Sequence, residues 1–264
     1  MPSVDFALLI SCFVLGLLVG SFLNVVIWRV PRGESVVSPP SACPSCGVEI
    51  RWYDNIPVLS WLFLRGKCRN CGNGISVRYP LVEFGTGMLF AVMAGIFGFT
   101  WELPAYLYFA AISVALGLID LDVKRLPNVI VLPSYAVAGL LLLVPAILQP
   151  SWPEYANAWL GALALFAFYF ALAYIYPAGM GLGDVKLAGV LGLYLGWLGW
   201  GVLLVGGFLG FFLGALVGVG LIIFNRAGRK TAIPFGPFML LGTLFGIIWG
   251  PALSDLYLGA VFGT

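Results

Sequence analysis

The sequence predicts an all-α polytopic membrane protein of about eight transmembrane helices, with one loop subdomain on a single side of the bilayer. Three observations predict it. The 264-residue chain is 61% hydrophobic and only 9% charged, with a mean hydropathy of +1.04, where a soluble domain carries roughly a quarter charged residues. Its uncharged runs lie near the ~20 residues that a helix needs to cross the hydrocarbon core. These runs are continuously apolar and do not alternate, which selects helices over a barrel.

The runs are Phe6 to Trp28, Phe84 to Phe99, Leu103 to Ile119, Asn128 to Leu148, Tyr155 to Tyr176, Leu187 to Phe224 and Ala232 to Ser254. The first has no basic residue before it and is 23 residues long, unlike a cleaved signal peptide with its positive start and shorter apolar region. It reads as a retained anchor. Residues 1–28 are therefore the first helix, 29–83 a loop subdomain and 84–264 the polytopic remainder. No tandem repeat is visible, and beyond the loop there is no room for a second soluble domain.

The 13 basic residues fall into four clusters: seven from Arg29 to Arg78, then Lys124 and Arg125, then Lys186, then Arg226, Arg229 and Lys230. The other connections carry only acids, at Asp5, Glu102, Glu154 and Asp255. Basic residues are retained on the cytoplasmic side, so the clusters face in and both termini face out. Lys186 and Arg226 then share a side, and the 38-residue run between them must cross twice. A turn near "WLGW" at 197–200 fits, because tryptophan suits the membrane interface. Eight spans result, the sixth of them short.

The loop contains Cys43, Cys46, Cys68 and Cys71, two CxxC pairs with 21 residues between them. Two such knuckles can place four thiolates around one tetrahedral ion, and zinc is the natural match. The chain has no histidine, so a mixed site is impossible. The alternative, two disulfides, suits an oxidising compartment, whereas seven basic residues place this loop in a reducing one. Four protein ligands leave no open position for a catalytic water, so the zinc is structural. Cys12 lies inside the first span and reads as a small packed side chain.

Acids within or beside membrane spans are costly and mark candidate functional sites. "LIDLDVKRLPN" brings Asp120 and Asp122 to the cytoplasmic end of the third span, and "GMGLGDVKL" brings Asp184 to the cytoplasmic start of the sixth. Two carboxylates from separate helices thus meet at one depth. With a water between them they are the minimum equipment of an aspartic protease, one acid and one base. Gly179, Gly181 and Gly183 let the backbone approach the pocket and leave room for an extended peptide. The plainer reading makes Asp184 an N-cap. Lys124, Arg125 and Lys186 need no role beyond orientation.

With "GSFLNVVIWRVP", "PPSACPSCG", "DNIPVLSWLFLRGKCRNCG", "RYPLVEFGTG", "LIDLDVKRLPN", "GMGLGDVKL" and "IPFGPFMLLG" in that order, the chain resembles the bacterial type IV prepilin peptidases over almost its whole length. These are leader peptidases and N-methyltransferases of the GxGD aspartic-protease class. The resemblance implies that Asp120 and Asp184 are the catalytic pair, with Asp122 an uncertain neighbour and Gly181 and Gly183 supporting the substrate pocket. It implies cleavage of the short basic leader of prepilins, pseudopilins or competence pilins, after a glycine, at the cytoplasmic face of the bacterial inner membrane. Methylation of the new N-terminus by S-adenosylmethionine follows, as in type IV pilus and type II secretion systems. The partners implied are these substrates and membrane lipid, with no nucleic acid.

Two positions depart from the family pattern: Ala42 stands where a basic or polar residue is more usual, and Asn128 where an aspartate is common. No GxGxxG-type fingerprint locates the methyl donor. Glu34, Asp54 and Glu83 offer polar contacts for it, with solvation or packing an equal alternative for each. Two rivals remain. A presenilin-like protease shares the GxGD logic but has no use for the cysteine loop, and a transporter would place its acids deeper, near the midplane.

Overall fold

The computed structural model describes residues 5–177, 180–224 and 234–262. Gly179 and the basic residues Arg226, Arg229 and Lys230 lie outside the described residues, as does the side chain of Asp255. The chain divides into two compact units, Met1–Ala115 and Leu116–Thr264. Helices dominate both, and no strand is present among the described residues beyond two isolated bridges.

The first unit contains α1 (Phe6–Arg29), the short helix α2 (Leu59–Phe63), α3 (Arg78–Phe97) and the first part of α4 (Leu103–Val123). Asp5 caps α1, its Oδ1 accepting the N–H of Ala7 at 2.9 Å. α1 and α3 pack against each other through a small-residue seam. A methyl group at Gly16 would stand 2.7 Å from Gly87 Cα, and one at Gly20 2.7 Å from Glu83 Cα. The glycines, four residues apart, therefore set how closely these backbones approach, as small residues do between membrane helices. α3 begins at Arg78, so the last residues of the segment expected as loop are helical.

The second unit holds the end of α4, then α5 (Asn128–Leu148), α6 (Trp152–Ile175), α7 (Leu182–Leu198), α8 (Trp200–Ile223) and α9 (Gly236–Phe262). The run from Leu187 to Phe224 is divided between two helices: α7 ends at Leu198, Gly199 turns the chain at φ +114°, and α8 starts at Trp200. That backbone angle is open only to glycine at little cost. Seven helices among the described residues are long and apolar enough to cross a membrane. α7 has 17 residues, about 25 Å of rise against a core of about 30 Å.

α7 is central to its unit, packing on α5, α6, α8 and α9, with twelve of its residues buried. Its closest neighbour is α6, where Gly192 faces the Gly161 carbonyl and a methyl at Gly161 would be 2.9 Å from Gly196 Cα. A helix buried on all sides need not carry the apolar length that lipid contact demands. α8 and α9 repeat the small-residue device with Gly206 and Gly210 against Gly246 and Gly242.

Candidate active site and metal centre

The two knuckles of the cysteine loop are built alike. In the first, Cys43 N–H donates to Val48 O at 2.9 Å and Gly47 N–H to Cys43 O at 2.9 Å. In the second, Cys68 N–H donates to Asn73 O at 2.8 Å and Gly72 N–H to Cys68 O at 2.9 Å. Gly47 and Gly72 hold φ of +71° and +72°, a left-handed turn that the CxxC-Gly spelling supplies.

The four sulfurs lie within 4.8 Å of one another, with Cys43 and Cys71 3.9 Å apart. Tetrahedral zinc with Zn–S bonds of ~2.3 Å needs sulfur separations of about 3.8 Å, so the donor set fits the ion. None of the five cysteines is in a disulfide. Backbone N–H groups of Cys46 and then Ser45 pull the Cys43 thiol down to about 6, favouring the thiolate that ligates metal.

The segment between the knuckles is packed onto them. Arg69 forks onto Asp54 with hydrogen bonds of 3.0, 2.9 and 2.6 Å, and the Trp61 indole donates to Ile75 O at 3.0 Å. Of the three acids considered as polar contacts, Asp54 is committed to Arg69, Glu34 is exposed and Glu83 is buried in α3.

In the second unit, α4 continues to Val123, so Asp120 and Asp122 both lie inside the helix. Residues two apart point to opposite sides of a helix. Asp120 is buried while Asp122 is exposed. Asp120 Oδ2 accepts the N–H of Gly236, the first residue of α9, at 3.0 Å. Asp184 is not the N-cap of α7; Gly181 is, and Asp184 sits at the third helical position. Its Oδ2 reaches back to accept Gly181 N–H at 3.2 Å.

The carboxylates are close enough for the charge of Asp120 to be felt at Asp184. Gly181 is exposed, a methyl there meeting only Asp184 Oδ2 at 3.4 Å and Gly183 N at 3.9 Å among the described residues, whereas Gly183 rests against the Leu126 side chain. Lys186, expected only to orient the span, donates to Asn128 Oδ1 at 3.0 Å, and Tyr135 Oη donates to Lys186 O at 2.6 Å. Both bonds fasten the start of α7, two residues beyond Asp184, to α5.

Sequence reasoning missed Gly236 and Tyr169. A methyl at Gly236 would stand 2.8 Å from Asp120 Oδ2, so only glycine lets the helix start this close. Tyr169 is buried, stacked on Phe211 at 5.1 Å, adjacent to Phe235 at 6.3 Å, and within the field of Asp184. Pro237 inside a helix start was a readable signal in "IPFGPF". Nothing local told that its amide meets an acid 116 positions earlier.

A family model for the Bacterial Peptidase A24 N-terminal domain matches residues 14–97, and one for the Type IV leader peptidase family matches residues 107–223. A prepilin leader peptidase/N-methyltransferase of Pseudomonas aeruginosa is 35% identical, covering 98% of each chain. The chain belongs to the type IV leader peptidase family. Further members of that family with the same description come from Neisseria gonorrhoeae, 37% identical over 85% of this chain and 84% of the relative, and from Myxococcus xanthus, 43% identical over 83% and 65%. No solved structure matches.

Proposed function

We propose that the chain is a membrane aspartic endopeptidase that removes the leader of prepilins or pseudopilins and then methylates the new N-terminal amine. The observation that carries the peptidase half is the pair Asp120 and Asp184, drawn from two helices, sharing one field, each with one oxygen held by a glycine N–H at a helix start. The family relatives, all described as prepilin leader peptidase/N-methyltransferase, support the substrate and the second activity. The basic clusters support a cytoplasmic loop and active site in the bacterial inner membrane, with both termini outside.

Two like charges in a poorly solvated pocket repel, so the pair works with one proton between them. The ionised aspartate takes a proton from water as its oxygen attacks the scissile carbonyl carbon. The protonated aspartate donates to the developing oxyanion. Collapse of the tetrahedral species breaks the C–N bond as a proton passes to the leaving amine. Gly181 leaves the start of α7 open to an extended peptide, while Gly183 is closed by Leu126. Cys43, Cys46, Cys68 and Cys71 would hold zinc, which would supply the loop with a rigid centre. S-adenosylmethionine supplies the methyl group.

The experiment is leader cleavage by Asp120→Asn, Asp184→Asn and Asp122→Asn at matched membrane levels. The first two abolish cleavage and the third retains it. Substantial activity in either of the first two rejects the dyad.

A further inference from the structure

The loop-side end of the α1–α3 pair holds a carboxylate that cleavage does not use. Glu83 lies in the second turn of α3 and is 8% exposed. Its Oε2 accepts Val58 N–H at 2.7 Å, and the Ser21 side chain of α1 is beside it. Val58 is held at φ +61°, a conformation costly for a β-branched residue. Gly20 brings α1 so close to Glu83 Cα that no side chain fits between them.

Both partners of Glu83 are neutral. The Arg69–Asp54 ion pair lies elsewhere in the loop. A buried anion at a membrane edge is costly without a cation, and such groups mark functional sites with a partner to be named. A cation carried on an apolar segment would complete this one. Leader removal makes that species, a new α-ammonium at the end of a membrane-held substrate.

We propose that Glu83 binds the N-terminal ammonium of the processed substrate and takes a proton from it in preparation for methylation. The proposal rests on the N-methyltransferase half of the function above. One N–H bond breaks, its proton goes to a carboxylate oxygen, and the electron pair stays on nitrogen. Ammonium and carboxylate become amine and carboxylic acid, so charge and atoms balance. That lone pair is what the methyl carbon of a sulfonium donor requires. Val58 N–H and Ser21 orient the carboxylate, and the strained turn at Val58 is the local cost of that orientation.

The competing role is a latch that merely ties the loop to α3. Glu83→Gln separates the two, because the amide oxygen still accepts Val58 N–H at the same size while charge and basicity are gone. The full chain is assayed for leader cleavage, for the added methyl by product mass, and for binding of cleaved, unmethylated substrate with a free or an acetylated N-terminus. Wild type binds the free amine in preference. Glu83→Gln still cleaves, loses that preference and methylates about 10²-fold or more slowly, the range of a lost general base. Glu83→Asp retains the preference. Methylation by Glu83→Gln within about twofold of wild type, or equal binding of the two substrates by wild type, overturns the proposal. If wild type prefers the free amine yet adds no methyl, the methyltransferase reading fails while the ammonium site stands. Should Glu83→Gln not accumulate, the wild-type and Glu83→Asp binding comparison decides.

Discussion

Replacing Gly236 with alanine should cripple cleavage without touching either aspartate. The added methyl would stand 2.8 Å from Asp120 Oδ2, 3.3 Å from its Cγ and 3.3 Å from Leu126 Cδ2, where ordinary contact begins at 3.4 Å. The carboxylate must retreat by about 0.6 Å, or α9 must. Misplacing a reacting group by 1 Å can cost ~10²-fold in rate, so 0.6 Å corresponds to roughly ten- to twenty-fold in kcat. Overpacking adds a stability loss of about 1–3 kcal/mol. Gly181→Ala is the internal comparison. Its methyl would lie 3.4 Å from Asp184 Oδ2 with nothing nearer, so Asp184 keeps its place. If the peptide lies along the open face at Gly181, that variant raises KM and leaves kcat intact. The assay is leader release over a range of prepilin concentrations, with enzyme matched by immunoblot and zinc content. Wild-type kcat in Gly236→Ala, or an equal kcat loss in Gly181→Ala, would refute the reasoning.

Metal analysis of the purified chain should find about one zinc; a zinc-free, disulfide-linked loop would contradict the four-thiolate site, and substituting any one of the four cysteines should impair methylation at least as much as cleavage. Gly192→Ala forces a methyl against the Gly161 carbonyl and 2.7 Å from Ala162 Cα, so thermal unfolding in detergent should show a loss of at least about 1–3 kcal/mol, and an unchanged melting curve would deny the tight α6–α7 seam. Hydrogen bonds from Arg69 hold the Asp54 carboxyl below its ordinary value, burial opposing and the guanidinium charge adding to them. A depressed carboxylate gives stability that is present above about pH 4 and is lost as pH falls below it; proteolysis of the loop in Arg69→Met should therefore already be raised at neutral pH, with the wild type converging on it in acid.

The apolar helices, the helix break at Gly199 and the cysteine cluster were legible because each is written in local chemistry: apolar length, basic clusters, and CxxC followed by glycine. The places where the sequence misled are the helix ends. Ile119 looked like the end of a span because Asp120 follows it, yet α4 runs on to Val123, since a carboxylate that finds a backbone donor need not leave the helix. Asp184 resembled an N-cap, yet Gly181 takes that position and Asp184 folds back upon it. Gly236 and Tyr169 were unreadable for a different reason. Their neighbours on the site are distant in sequence, and neither glycine nor tyrosine in an apolar stretch signals which acid it will meet. Lys186 shows the same limit, its bond to Asn128 spanning 58 positions.

In the proposed dyad two acids must be kept together against their repulsion, because side chains free to rotate would turn apart. Here each Oδ2 is fixed by a backbone N–H at the start of a helix, Gly236 for α9 and Gly181 for α7, where the helix dipole also favours negative charge. Neither donor is a titratable side chain, so neither supplies a competing proton. The same arrangement decides which substitution can be interpreted. Asp120→Ala would leave the Gly236 N–H without its acceptor in a buried site, a loss of about 1–3 kcal/mol by itself, and would mix instability with lost chemistry. Asparagine still offers Gly236 an oxygen while removing the exchangeable proton. Lost cleavage in Asp120→Asn, in protein that inserts and binds zinc as the wild type does, therefore reports on the proton alone.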